Sequence, residues 1–349
     1  MMTQSAASWR GVRETDMAGA DGVEKLEDAI VRSAEQVAGQ IRAAKEAIST
    51  VIFGQERVIE NTLVTILSGG HALLIGVPGL AKTKLVETLG ITLGLDAKRI
   101  QFTPDLMPSD ILGAEVLDES NSGKRSFRFI SGPVFAQLLM ADEINRASPR
   151  TQSALLQAMQ EQHITVAGAR HDLPKPFHVL ATQNPLEQEG TYPLPEAQLD
   201  RFLMEIDVDY PDRDAERRIL FETTGAEETL AKASMNAEIL IAAQRLVRRL
   251  PVGDSVVEAI LSLVRAARPN PDGDGDKLIA WGPGPRASQS LMLAVRARAL
   301  LDGRLAPSID DVLDLAEPIL KHRMALTFSA RAEGRTIPDV IRQLKARIG

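Results

Sequence analysis

Gly76-Val77-Pro78-Gly79-Leu80-Ala81-Lys82-Thr83 is the octet around which this 349-residue chain is organised. An apolar run, Ala72-Leu73-Leu74-Ile75, precedes it, and an alternating polar and apolar segment from Lys84 to Leu93 follows. Strand, tight glycine turn and helix start is the order in which backbone N–H groups can cradle a phosphate chain. Gly76 and Gly79 give the turn its φ freedom, Lys82 can reach β- and γ-phosphates, and the Thr83 hydroxyl can ligate Mg²⁺. Val77, Pro78, Leu80 and Ala81 supply the remaining loop backbone. The general pattern places glycine just before the lysine, where this chain has Ala81. That position is expected to enter the helix without needing φ > 0, so that a methyl group fits. Alone, the octet also suits a strand–turn–helix with no chemistry.

Four later stretches weigh on that choice. Leu138-Leu139-Met140-Ala141 reads as a buried strand ending in Asp142-Glu143, at the place where ligands bind in open α/β sheets. The first carboxylate can hold the hydration shell of Mg²⁺, and the second can orient and polarise an attacking water. The same pair would also serve as a cap for the helix that includes Thr151 to Gln160. Phe177 to Ala181 is a second apolar strand, ending in Thr182-Gln183-Asn184-Pro185. The Asn184 amide can hydrogen-bond a γ-phosphate or the water, or simply form an Asn-Pro turn. In Leu199-Asp200-Arg201-Phe202, an always-charged, forked guanidinium precedes the strand-like Leu203 to Ile206 and suits the charge of a transferring phosphoryl group; a surface ion pair is the alternative. Gly282-Pro283-Gly284-Pro285-Arg286-Ala287-Ser288 opens a helix running to about Leu301.

Composition excludes several other functions. The chain is 44% hydrophobic, 25% charged and 4% aromatic, ordinary for a globular protein of about two domains. A net charge of −7 argues against a general nucleic-acid-binding surface. With no cysteine, disulfide scaffolds, thiol catalysis and Cys-ligated zinc are ruled out, and the five histidines show no ligand spacing. No apolar run approaches the roughly 20 residues that span a bilayer, and the N-terminus lacks an apolar signal core, so the chain reads as cytoplasmic.

The polar, aperiodic residues 1–22 are expected to be a disordered tail. From Val23, apolar residues at Leu26, Ile30, Ala34, Val37, Ile41, Ala44 and Ile48 predict an amphipathic helix packed on the following domain. A second helix, with Val58, Ile59, Leu63, Ile66 and Leu67 inward, ends at Gly69-Gly70. Arg99 to Phe102 reads as a strand and Thr103 to Gly113 as a structured loop. Two hairpins are predicted, one from Ala114–Leu117 and Ser126–Phe129 around Ser120–Gly123, the other from Ile164–Val166 and Arg170–Leu173 around Gly168. A polar helix from Asp212 to Thr223, with Ile219 and Leu220 inward, closes the α/β part at residue 225. Residues 226–349 then read as four or five helices, interrupted most clearly at Pro269 to Gly275.

In order, these motifs resemble those of AAA+ ATPases, and in wording those of the MoxR family. The resemblance rests on Gly76 to Thr83 with its alanine before the lysine, Ala141-Asp142-Glu143-Ile144-Asn145-Arg146-Ala147, Thr182 to Pro185, Leu194-Pro195-Glu196-Ala197-Gln198-Leu199-Asp200-Arg201-Phe202 and the Pro285-Arg286-Ala287 helix start. It spans the chain from about Phe53 to the last helices. It implies an α/β fold: a P-loop αβα core with a parallel sheet and inserted β-hairpins over residues 23–225, then an all-helical lid over 226–349. ATP and Mg²⁺ are the implied ligands. Lys82 and Thr83 would bind phosphate and metal, Asp142 the metal shell and Glu143 the water. Asn184 would be the first nucleotide sensor, Arg201 a finger reaching a neighbouring subunit's nucleotide, and Arg286 the second sensor, on its own site or a neighbour's. Gly54 and Gln55 would lie near the adenine or merely begin a helix. The implied assembly is a homo-oligomeric ring, a hexamer, acting chaperone-like on a client protein, on a partner with a von Willebrand factor A domain, or in metal-cofactor insertion. A nucleotide-gated binding module with little turnover and a DNA motor of the same clade are the alternatives; intact Glu143, Asn184 and Arg201 favour the enzyme, and the acidic balance opposes the motor.

Overall fold

The computed structural model describes residues 20–119, 125–187, 189–225, 229–269 and 278–348, with side chains from Glu35 onward. Two helices, α1 (Ala20–Ser49) and α2 (Glu56–Leu67), lead into β1 (Ala72–Ile75), α3 (Lys82–Leu93), β2 (Ala97–Gln101), α4 (Pro108–Leu112), β3 (Gly113–Glu119), β4 (Arg125–Ser131) and β5 (Leu138–Asp142). Then come α5 (Pro149–Glu161), β6 (His163–Val166), β7 (Ala169–Asp172), β8 (His178–Gln183), α6 (Glu196–Leu199), β9 (Met204–Asp207) and α7 (Arg213–Thr223). The remainder is α8 (Ala237–Val247), α9 (Asp254–Ala266), β10 (Ile279–Trp281), α10 (Pro285–Leu301), α11 (Ile309–Leu320), β11 (Ala325–Leu326), α12 (Phe328–Ala332) and α13 (Ile337–Lys345).

Five strands form one parallel sheet in the order β2-β5-β8-β1-β9. Its central strands are buried on both faces, as parallel sheets covered by helices require. Leu138 and Met140 of β5 join one apolar cluster, with β1's Leu74 and residues of α1, α2 and α3, whereas Leu139 and Ala141 join another with β1's Leu73 and α5. That is the period-two alternation of a strand with a core on each side. Register aligns the carboxyl ends: Ile75 lies beside Gln183, and Ala141 beside both Ile100 and Ala181. The segments that follow β1, β5 and β8 therefore emerge along a single edge, and these are the phosphate loop, the acidic pair and Asn184.

α1 starts at Ala20, three residues before the predicted Val23, and the rest of the expected tail lies outside the described residues. Its apolar stripe, Val37, Ile41, Ala44 and Ile48, is buried against α2, α3, α8 and α10, as predicted. Glu60 of α2 ties three helices together, accepting from Lys45 of α1 at 2.5 Å and Arg298 of α10 at 2.8 Å. Both hairpins form, β3 with β4 and β6 with β7, antiparallel; the first one's predicted turn lies outside the described residues, as do residues 270–275 of the interruption after α9. The Thr103–Gly113 loop contains the short helix α4, opened by a proline in its first turn. One inward assignment fails. Leu220 of α7 is 63% exposed, and Ala215 is the helix's buried residue. α7 touches the core over one turn only, so the position five residues on lies on another side of the helix. The helical lid also carries one short antiparallel ladder, β10 with β11; two- and three-residue strands leave no readable periodicity.

Candidate active site

The phosphate loop turns tightly between β1 and α3. A Cβ on Gly76 would lie 2.6 Å from the Val208 carbonyl, so only glycine fits beside β9. Gly79 has φ +87 and faces open space, as a backbone approached by a ligand should. The Lys82 ammonium donates to the carbonyls of Gly76 at 2.5 Å and Val77 at 2.8 Å. Burial lowers its pKa, against the pull of Asp142 and Glu143. Ala81 corrects an expectation: it has φ 56 and ψ 19, in the left-handed region. The chain must reverse from loop to helix at this residue, whose carbonyl accepts the helix bond from Leu85 N at 2.8 Å. The methyl group is accommodated, but at roughly 1–2 kcal/mol of backbone strain that glycine would avoid.

At the end of β5 the two carboxylates are already engaged. Asp142 accepts from Arg99 Nη2 at 2.6 Å through Oδ2 and from the Thr182 hydroxyl at 2.5 Å through Oδ1. Glu143 has φ 55 and ψ 51, left-handed again, and its N–H donates to the same Thr182 hydroxyl at 2.9 Å. The Glu143 carboxylate accepts from Gln101 Nε2 at 2.7 Å and Arg146 Nη1 at 3.2 Å. Thr182 thus fixes both members of the pair. Asn184 is buried beside them at the end of β8, and its Oδ1 accepts from Leu186 N at 3.1 Å, so it also shapes the Asn-Pro turn.

Arg201 and Arg286 stand apart from this group. No hydrogen bond or ion pair among the described residues links either to Lys82, Asp142 or Glu143. Arg286, at the start of α10, donates to Asp200 Oδ2 at 3.2 Å. Arg201 follows that aspartate, and its guanidinium has no partner among the described residues. Sequence reasoning missed the other occupant of Asp200: Arg323, 1% exposed, donates to Oδ1 at 2.7 Å. Nothing local marks Arg323, which lies 123 positions from its partner. Thr182, Gln101 and Arg146 sit in or next to strand-end segments, and polar residues at the carboxyl ends of buried strands are the signal that could have picked them out.

A cleft of about 610 Å³ opens against the loop, lined by Gly79, Leu80 and Ala81 on one side and by Val51, Ile52 and Phe53 on another. Gln55 lines it too, its side-chain amide bound to the Asp209 carbonyl at 2.7 Å. Gly54 packs behind, where a Cβ would meet Ala215 at 2.4 Å. Apolar walls beside an N–H-rich turn fit a nucleoside triphosphate, base on the walls and phosphates on the loop. For Mg²⁺, the Thr83 hydroxyl is without a partner among the described residues, and these hold no cluster of three His, Asp or Glu that would ligate an ion unaided. That suits an ion held chiefly by phosphates and water.

Sheet order, phosphate loop, strand-end carboxylates and helical lid together define a P-loop ATPase of the AAA+ class. Residues 71–204 match the ATPase family associated with various cellular activities, and residues 276–344 match its lid domain. Chaperone MoxR1 of Mycobacterium tuberculosis is 41% identical over 314 residues, 88% of this chain and 82% of that protein. Protein MoxR of Paracoccus denitrificans is 32% identical, over 82% of this chain and 89% of that one. A crystal structure of a candidate ATPase from Cytophaga hutchinsonii superposes with a TM-score of 0.84 at 36% identity, over 92% of this chain and 97% of that one. The chain belongs to the MoxR family of AAA+ ATPases. No helix among the described residues is long and apolar enough to cross a membrane.

Proposed function

We propose that this protein binds ATP with Mg²⁺ and hydrolyses it, as a homo-oligomeric ring, to remodel or activate a partner protein. The observation that carries this reading is that Lys82, Asp142, Glu143 and Asn184 all follow or end strands at one sheet edge, with a cleft of about 610 Å³ against Gly79 to Ala81 of the same phosphate loop. Backbone N–H groups of Gly76 to Thr83 hold the phosphates, and Lys82 exchanges its loop carbonyls for phosphate oxygens. Thr83 and Asp142 would hold Mg²⁺, Asp142 while its oxygens keep their hydrogen bonds to Arg99 and Thr182. When bound there, the ion would supply neutralisation of the charge that develops on a transferred phosphoryl group. Glu143 takes the proton of the attacking water once it leaves Gln101 or Arg146, and Asn184 orients that water or the γ-phosphate. Arg201, unpartnered among the described residues of its own subunit, reaches the nucleotide of the next, while Arg286 reads the phosphates from the lid.

Residues 23–225 would act as the nucleotide-binding domain and 226–349 as the lid. The chaperone name of the Mycobacterium tuberculosis relative supports a protein client. The resemblance further suggests a hexamer, a cytoplasmic setting, and a partner with a von Willebrand factor A domain or a role in metal-cofactor maturation. Glu143→Gln provides the test: it should bind ATP undiminished, release no phosphate and retain the client in a pull-down with ATP. Undiminished phosphate release would remove Glu143 from the mechanism.

A further inference from the structure

Three consecutive lid residues, directly after α11, grip the segment that carries Arg201. The Lys321 ammonium meets Asp207 at 2.5 Å and Glu205 at 3.4 Å. His322 Nε2 lies 3.2 Å from the Phe202 carbonyl. Arg323 bonds most extensively. Nε donates to Asp200 Oδ1 at 2.7 Å, Nη2 to the carbonyls of Phe202 at 2.6 Å and Asp200 at 3.2 Å, and Nη1 to those of Leu203 at 3.2 Å and Ile319 at 2.5 Å. All five guanidinium N–H groups therefore have an acceptor, four of them within residues 200–203. Within that segment the Arg201 guanidinium has no partner among the described residues. Asp200 is shared, since its second oxygen accepts from Arg286.

An arginine that must meet a phosphoryl group on another subunit needs its backbone fixed from behind, because its own long side chain is flexible. We infer that Arg323 is the positioning residue for Arg201, and that with Asp200 it forms a rigid link from the lid to the finger. Arg323 touches neither nucleotide nor reacting atoms. It acts by holding the backbone on both sides of Arg201, so that a lid displaced by nucleotide carries the finger with it. When Arg286 turns from Asp200 to a phosphate, Arg323 alone keeps the aspartate's charge neutralised and the link intact. This inference rests on the reading of Arg201 as a finger acting between subunits, and the test separates the two.

The experiment is an ATPase cycle on the full-length, assembled protein: wild type, Arg201→Ala, Arg323→Lys and the double variant, with kcat and KM for ATP measured for each. Lysine keeps the charge but loses the fork. Arg323→Lys should lower kcat by ~10²-fold, the scale of a misplaced catalytic group, leave KM within about twofold, and have no further effect once Arg201 is alanine. Where Arg323→Lys does not assemble, Asp200→Asn, which keeps an acceptor for Nε and removes the charge, enters the same cycle. Losses that multiply in the double variant, or a raised KM with unchanged kcat, would show a role in lid packing or nucleotide binding and overturn the inference. An unchanged kcat for Arg323→Lys would also overturn it. If Arg201→Ala itself turns over normally, the finger assignment fails first, and the positioning role with it.

Discussion

Replacing Thr182 by valine tests how the acidic pair is held. One hydroxyl donates to Asp142 Oδ1 at 2.5 Å and accepts from Glu143 N at 2.9 Å, using its single proton and one lone pair. Valine is of similar shape, so packing is kept and only these two bonds go. The bond to a charged oxygen is worth about 1.5–3 kcal/mol, and the half-exposed Glu143 N–H adds ~1 kcal/mol when left unpaired. Arg99 still neutralises Asp142 through Oδ2, so the total loss should be about 2–4 kcal/mol. The second consequence concerns chemistry. Glu143 sits at φ 55, which a non-glycine residue holds only where its surroundings impose it; without the Thr182 bond its carboxylate should shift and kcat fall by ~10²-fold. Denaturant unfolding and steady-state ATPase assays measure the two effects. Thr182→Ser should restore both, because it returns the hydroxyl. A valine variant that unfolds at the wild-type midpoint and turns over normally would refute the argument, as would a serine variant no better than valine.

Arg201→Ala should lower kcat in the assembled state by ~10³-fold, and mixing it with Lys82→Ala should partly restore activity at hybrid interfaces; absence of rescue would place Arg201 within its own site. Phe127, 71% exposed opposite Leu117 on the first hairpin, should on change to serine leave basal ATPase intact and abolish client stimulation, and equal loss of both would mean a folding role. Acid should destabilise the fold through His71 and His178, which burial holds at about 3 and about 4 against an ordinary value of 6.5, the neighbouring His178 adding to the shift of His71. Between pH 6.5 and 4 the unfolded chain binds more protons than the folded one, so stability is full above 6.5 and falls with pH, by about 2 kcal/mol per histidine at pH 5. An unfolding midpoint flat from pH 7 to 5 would refute this.

The inner strands β1, β5 and β8 were legible because each is short, apolar and buried on both faces, and each runs into a loop or polar cluster that has no place in a core, whereas of the edge strand β2 only Ile100 is buried. The same property displayed Lys82, Asp142, Glu143 and Asn184. What escaped is of two kinds. Contacts between distant parts of the chain leave no local pattern: Arg323 reads as one more basic residue after a helix, and only the fold brings it to Asp200. Backbone conformation is the other. Ala81 and Glu143 are ordinary residue types, and a left-handed φ at a non-glycine position is imposed by the turn around it. Val166 shows the limit of hairpin logic as well, since it packs against the core while Phe127 on the other hairpin stands free.

Those two left-handed residues bear on how the site works. Among the described residues four non-glycine positions have positive φ, and two of them, Ala81 and Glu143, belong to the phosphate site. Each costs roughly 1–2 kcal/mol, and each lies where the chain leaves a strand end for a helix or turn. Strain at such a point persists only when neighbours over-determine it. For Glu143 the neighbours are identifiable: Thr182 holds its N–H, while Gln101 and Arg146 hold its carboxylate. The backbone is thus fixed by a buried strand, whereas the carboxylate is held by exposed groups that a bound nucleotide or an adjoining subunit can displace. Glu143 is in this way locked in position but free to change partner, which is what the role proposed for it, a base idle until ATP is bound, requires.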